Sequence, residues 1–403
     1  MKTKTLTILY GLVAVLALGV LVAKQSQNQD SLSSAKYERG HKPFANLPAG
    51  EIAQVEITDG DMTSTIHIHD GKWSVKERQN YPADFSALQS LIRELSEITI
   101  AQSLEAGATY DARFGMDLSS DDPDQHGTVI TLKKSDDQVI TTLRLGKAVD
   151  SGEQDQMAML MGGGAKGQHI RLDDDADAVY VINSTLNGAK SHPKNWLAKD
   201  FIKVANLSKV SLTQPNSTDL EWEVEEQNGT FTLLGDIPEG KELNTGALSS
   251  IGNLFQYARF DDILSEKAAH GLIDHSKTQT AHLKTKDGFS YQIEIASKVA
   301  PQSKNKIVKI QTSAKLNEKR PPVEGESAEQ ATQAEAQFSA ELEGLKKKLA
   351  QEQRINGVYF EVSEYTVQAL LKSRNDLLQA PQPAQPGQRP GSVTSPPFRF
   401  GGQ

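Results

Sequence analysis

Two histidines, His67 and His69, have the spacing in this chain that comes nearest to chemistry. They sit two apart in the alternating run Thr65-Ile66-His67-Ile68-His69, so a strand carries both imidazoles on one face. With Asp59, Asp61 and Asp70 near them in sequence, that face has the ligand types of a zinc or copper site. The same alternation puts Ile66 and Ile68 on the opposite, buried face, which leaves the imidazoles on the solvent side of a half-buried strand. No other His-rich segment supplies a third ligand at metal-site spacing. His67 and His69 are therefore candidate ligands of a site the sequence does not complete, and the chain reads as having no metal and no cofactor.

Other reactive patterns are weaker still. Met161-Gly162-Gly163-Gly164-Ala165-Lys166-Gly167 lacks the spacing, the Ser or Thr after the lysine, and the flanking strand and helix of a phosphate loop. Met157, Met159 and Met161 alternate as a strand face does when it packs on a core. Asp173, Asp174, Asp175 and Asp177 form an acidic cluster without the ligand spacing or glycine of an EF-hand, and read as a solvated turn. No G-x-S-x-G elbow or S-x-x-K set occurs in a catalytic context. With 52 acidic residues, carboxylate pairs arise by chance and none marks a hydrolase. Trp73, Trp196, Trp222 and Phe231 have apolar neighbours and read as core residues. The chain is read as having no catalytic residues and as a non-enzyme.

Composition narrows the class. A net charge of −9 opposes nucleic-acid binding, which needs a basic face to replace the counterions on phosphates. Cysteine is absent, so disulfides, thiolate metal sites, a Cys nucleophile and lipoprotein attachment are all excluded. Leu6–Ala23 is an uncharged apolar run of eighteen residues, the length that crosses the roughly 30 Å hydrocarbon layer as a helix. Lys2 and Lys4 precede it, which places the N-terminus (1–5) in the cytoplasm. The competing reading is a cleaved signal peptide with Ala17-Leu18-Gly19 as its small-x-small site, but the apolar run continues past that point. Residues 24–44 read as a polar tether.

The rest of the chain repeats itself. Ala45-Asn46-Leu47 and the strand Val55-Glu56-Ile57 match Ala205-Asn206-Leu207 and Val210-Ser211-Leu212. Gly71-Lys72-Trp73-Ser74-Val75 matches Gly229-Thr230-Phe231-Thr232-Leu233, each a turn glycine entering a strand. Pro-bearing connections follow at Tyr81–Asp84 and Ile237–Gly240. Helical spacing recurs at Leu88, Leu91, Ile92 and Leu95, and again at Leu248, Ile251, Leu254 and Phe255. Phe114-Gly115-Met116 pairs with His270-Gly271-Leu272, the hairpin 128–145 with 280–295, and Val179–Ile182 with Val358–Phe360. The expected architecture is α+β: an N-terminal transmembrane helix, then two tandem antiparallel sheet-plus-helix repeats at 45–204 and 205–376.

The second copy carries a charged helical insertion at about 316–354. Its apolar content is one stripe, Phe338, Leu342, Leu345 and Leu349. That stripe either reaches a partner or lies back on its own domain, and the charge-rich remainder favours the second. Residues 377–403 are dense in Pro, Gly and Gln and are expected to be a disordered tail; within them Phe398-Arg399-Phe400 is a candidate docking peptide.

The series Val55–Ile57, Gly71–Val75, Tyr81–Asp84, Leu88–Ile98, Phe114–Met116, Leu143–Lys147, Val179–Val181, Asn195–Leu197 and Val210–Leu212 resembles the bacterial domain-of-unknown-function family 4340. The resemblance covers residues 45–215 well and the second copy more loosely. It implies a single-span inner-membrane protein with its bulk in the periplasm, partnered with an ABC-type permease, ATPase or auxiliary subunit of the gliding-motility type. It implies no catalytic residues. The rival expectations are an anchored ligand- or polymer-binding module with its site between the two repeats and, behind it, an envelope hydrolase.

Overall fold

Asp70-Gly71 and Asn228-Gly229 have positive φ at both residues (49° and 72°, 54° and 83°), the backbone of a two-residue type I′ hairpin turn. Each turn opens a sheet of the same design. The computed structural model describes residues 35–149, 167–300, 303–323 and 325–381. The described chain divides into two units at Asp200/Phe201. The expected anchor Leu6–Ala23, the methionines 157, 159 and 161, nearly all of the glycine-rich run after them, and Phe398–Phe400 lie outside the described residues. Among the described residues no helix is long and apolar enough to cross a membrane.

In the first unit the strands are β1 (Gln54–Asp59), β2 (Met62–His69), β3 (Lys72–Val75), β4 (Tyr81–Pro82), β5 (Ile100–Glu105), β6 (Thr128–Lys133), β7 (Val139–Val149), β8 (Gly167–Leu172) and β9 (Asp175–Ile182). They form one antiparallel sheet in the order β4-β3-β2-β1-β6-β7-β8-β9-β5. Alternation supplies the buried face: Val55, Ile57, Ile66, Ile130, Leu132, Leu143 and Ile170 have almost no exposure. Helix α1 (Phe85–Glu97) starts where Asp84 accepts the amides of Ser86 and Ala87 at 3.0 and 3.1 Å, the geometry of an N-cap. Its Leu88, Leu91 and Leu95 are buried at helical spacing. The indole of Trp196 is buried and donates to the Lys190 carbonyl at 2.6 Å. A short helix α2 (Asp111–Phe114) precedes β6.

The second unit runs β10 (Leu207–Thr213), β11 (Leu220–Gln227), β12 (Thr230–Leu233), β13 (Glu242–Leu243), α3 (Thr245–Gly252), β14 (Asp262–Leu264), α4 (Glu266–Leu272), β15 (Ile273–Thr285), β16 (Phe289–Lys298), β17 (Lys306–Ala314), α5 (Ala328–Gln353), β18 (Tyr359–Val362), α6 (Glu364–Val367) and β19 (Leu378–Gln379). Its sheet has the order β12-β11-β10-β15-β16-β17-β18-β14. Strand for strand this is the order of the first sheet, except that β13 leaves the sheet to pair with β19.

The structure redraws three expected boundaries. Phe201, expected at the end of the first repeat, packs edge-on to Phe360 with ring centroids 5.0 Å apart and lies beside Phe255 and Phe260 in the second unit. Residues 35–44, expected as tether, lie against the first sheet through Gly40 N–H to the Ile100 carbonyl at 2.7 Å. Leu377 and Leu378, expected in the tail, are buried, and Gln379 pairs with Glu242. In each case a few polar residues in the window masked the apolar or extended residues that dock.

Candidate functional site

His67 and His69 share a face, as alternation requires, with their rings stacked 5.8 Å apart. His67 Nε2 lies 2.8 Å from the Asn80 side-chain oxygen, and His69 Nε2 lies 3.6 Å from Asp70. Ile66 is buried, but Ile68 is 47% exposed. The core contact expected of Ile68 is absent because β2 is near its end there: beyond it only the short strand β3 and the turn cross the sheet. Among the described residues no three His, Asp or Glu side chains gather where a metal ion would need them. The acidic turn is exposed, as expected, and it also holds the segment before the sheet. Asp174 accepts the Tyr37 hydroxyl at 2.6 Å and pairs with Lys36, and Asp175 accepts the Lys36 amide at 2.7 Å. Trp222 is buried and Phe231 nearly so, whereas Trp73 is half-buried.

The motif Phe114-Gly115-Met116 closes α2 onto an ionic cluster. Gly115 adopts φ 68°, ψ 43°, the left-handed cap that glycine supplies at no steric cost. Met116 is fully buried beside Ala106 and Val179. One turn earlier Asp111 accepts Arg144 Nη1 and Arg171 Nη2, each at 2.6 Å. Arg171 is 6% exposed and also donates to the carbonyls of Ala176 and Ala178. This cluster fixes α2, β7, β8 and β9 to one another. Sequence reading missed it, because an Asp and two Arg spread over sixty residues carry no local signature.

A cleft opens in the second unit beside its long helix. Helix α5 begins with a capping box, Ser327 with Gln330, and occupies the place where the first unit has only the tight Asp173-Asp174 turn. Phe338, Leu342 and Leu345 make one wall; the turn Lys286-Asp287-Gly288 with Lys315 and Asn317 makes the other. The space between is about 160 Å³. The apolar stripe of α5 therefore turns toward its own unit. Lower down, Lys348 Nζ sits 4.5 Å from the Phe289 ring centre. Glu352, 8% exposed, accepts the Tyr291 hydroxyl at 2.8 Å and faces the Lys203 amide at 3.4 Å. Glu352 lies three residues beyond Leu349 on the same stripe, so its inward direction was legible from spacing, though a carboxylate at that position argued against it.

Burial pushes the Glu352 carboxyl above its ordinary value; the Tyr291 hydroxyl, Lys348 and the Lys203 amide pull the other way and do not fully offset it. A carboxyl raised in the folded state binds more protons there than in the unfolded chain, so this group adds stability as pH falls and takes it away as pH rises past 4.5. Glu352→Gln is accordingly expected to match or exceed the parent in melting temperature at pH 7.5. The difference should shrink as pH is lowered toward 4.5, read by paired thermal melts across that range. An opposite slope, with the parent gaining on the variant as pH rises, would show that the ionised pair holds α5 down.

Fold and site together define an α+β protein of two antiparallel-sheet units, the second bearing a long helix over a mixed apolar and charged cleft. The chain belongs to the family described as domain of unknown function (DUF4340), whose model matches residues 73–274. That span begins in β3 at Trp73, after β1 and β2, and runs through the Asp111 cluster into the second unit up to the start of β15. No curated protein and no solved structure matches the chain.

Proposed function

We propose that this chain is a membrane-anchored extracytoplasmic accessory protein of an ABC-type transport system, acting through protein–protein contact. The observation that carries the reading is the uncharged run Leu6–Ala23 placed ahead of two ordered units. A span of that length with lysines on its N-terminal side favours a single pass of the bacterial inner membrane, with the bulk of the chain in the periplasm. The shared strand order of the two sheets supports duplication of one unit, a common way to enlarge a contact surface. The association with transporter subunits rests on what the family resemblance implies. Affinity isolation of the intact protein from native membranes in mild detergent tests it. An ABC permease, its ATPase or an auxiliary subunit is expected to co-purify in stoichiometric amount; recovery of the protein without any of the three would remove the transporter reading.

The cleft along α5 favours a second reading, an anchored ligand- or polymer-binding module, over an envelope hydrolase, because its walls offer apolar surface and charges without a catalytic constellation. Retention of the protein on immobilised envelope polysaccharide, with no transporter subunit in the isolate, is the result that would favour it.

A further inference from the structure

The first unit grips the chain just before it runs toward the N-terminal apolar segment. Lys36 donates its amide to Asp175 at 2.7 Å and pairs its ammonium with Asp174. The Tyr37 hydroxyl donates to Asp174 at 2.6 Å, and its amide donates to the Tyr180 hydroxyl at 3.2 Å. Tyr180 in turn donates to Asp175. The Tyr37 ring stacks on His41 with centroids 4.7 Å apart and tilts against Tyr180 at 5.7 Å. A few residues on, Gly40 N–H donates to the Ile100 carbonyl at 2.7 Å and Ile100 N–H to the His41 carbonyl at 2.9 Å. Residues 36–41 thus reach from the β8–β9 turn, where Lys36 and Tyr37 are held, to the start of β5, where Gly40 and His41 bond to Ile100. Burial alone would raise the Asp174 carboxyl; Lys36 and Tyr37 outweigh it and hold the group below its ordinary value.

The clasp has a direction. Leu172 pairs with Leu143, Lys133 with Val139, Gln54 with Lys133 and with His67. The β8–β9 turn, the β6–β7 turn around Ser135 and the β2–β3 turn at Asp70-Gly71 therefore share one end of the sheet. The β1–β2 turn at Gly60-Asp61 is at the other end, a strand length of roughly 25 Å away. Only residues 24–35 separate the clasp from Ala23, and twelve residues reach at most about 43 Å. A tether extending to residue 44 would reach nearly twice as far.

We infer that residues 36–41 are a clasp that mounts the first unit on its anchor with the end bearing the 70–71, 135–137 and 173–175 turns toward the bilayer. The inference rests on the reading of Leu6–Ala23 as a membrane anchor and adds to it an orientation: the face at that end is the one presented to lipid, and the Gly60-Asp61 end points away. The chain has no cysteine, so single labelling sites can be introduced cleanly. Full-length protein carrying Ser135→Cys or Asp61→Cys, each coupled to a fluorophore, is placed in phosphatidylethanolamine–phosphatidylglycerol nanodiscs with nitroxide-headgroup lipid as quencher. Quenching at position 135 is expected to exceed that at 61 by at least two-fold. The difference should collapse when the clasp is opened by Tyr37→Phe with Asp174→Asn, while circular dichroism stays unchanged. Equal quenching at both sites, or stronger quenching at 61, in protein that does occupy the discs would overturn the orientation. Protein that fails to enter discs at all would instead overturn the anchor reading, and the orientation with it.

Discussion

Asp111→Ala is expected to destabilise the first unit by about 3–5 kcal/mol, the range for breaking a buried ion pair from one side. The cost comes from what stays behind. Arg171 keeps its charge at 6% exposure, and two backbone carbonyls cannot neutralise it. Its Nε already lacks a partner, so the site has no spare acceptor to recruit. Arg144→Ala should cost far less, about 1 kcal/mol or under, because that side chain is 31% exposed, water takes its place, and Asp111 keeps its pair with Arg171. Thermal melts then separate the two: on the order of 10 °C for Asp111→Ala against a few degrees for Arg144→Ala. A loss below about 1 kcal/mol for Asp111→Ala would mean that the guanidinium of Arg171 reaches solvent and that the cluster does not hold α2 to the sheet.

The contrast between that cluster and the hairpins shows what a single sequence makes legible. Gly71-Lys72-Trp73-Ser74-Val75 and its counterpart at 229–233 announce a turn and a strand within five residues, because φ > 0 and period two are local requirements. The two repeats were readable for the same reason, as was the stripe on α5. The sheet order was not: β5 and β14 lie at sheet edges beside strands some eighty and one hundred residues further on, and nothing local fixes those partners. The ionic cluster, the Tyr37 clasp and the pair Tyr291–Glu352 are long-range for the same reason. Each is built from residue types that are exposed in most proteins, so solvent was the sensible expectation for all of them. His67 and His69 show the converse. Their spacing was read correctly, yet spacing alone gathers only two ligands, and no element of the fold brings a third among the described residues.

The matched motifs Phe114-Gly115-Met116 and His270-Gly271-Leu272 look equivalent in sequence, and alanine at their glycines is expected to have opposite effects. Gly115 has a left-handed backbone, and an added Cβ would press on the Lys147 backbone nitrogen at 3.1 Å as well as on its side chain. Gly271 lies inside α4 with nothing within 4 Å of a new Cβ. Gly271→Ala should therefore stabilise the second unit by about 0.5–1 kcal/mol, the helical cost of glycine relative to alanine. Gly115→Ala should destabilise the first by about 1–2 kcal/mol through the left-handed conformation alone. The larger effect belongs to Gly146, the glycine of the Leu143–Lys147 motif. A Cβ there would fall inside contact distance of the Phe114 carbonyl oxygen and 2.7 Å from Met116 Cγ, while a Cβ on Gly127 would meet Met116 Cα at 2.7 Å. Both obstacles include backbone, which cannot rotate away, so Gly146→Ala is expected to cost about 3 kcal/mol or to displace α2. Urea denaturation of the three single variants gives all three signs at once. If Gly146→Ala melts like the parent, then Phe114–Met116 is free to shift, and residues 114–116 and 143–147 are not held together by this contact.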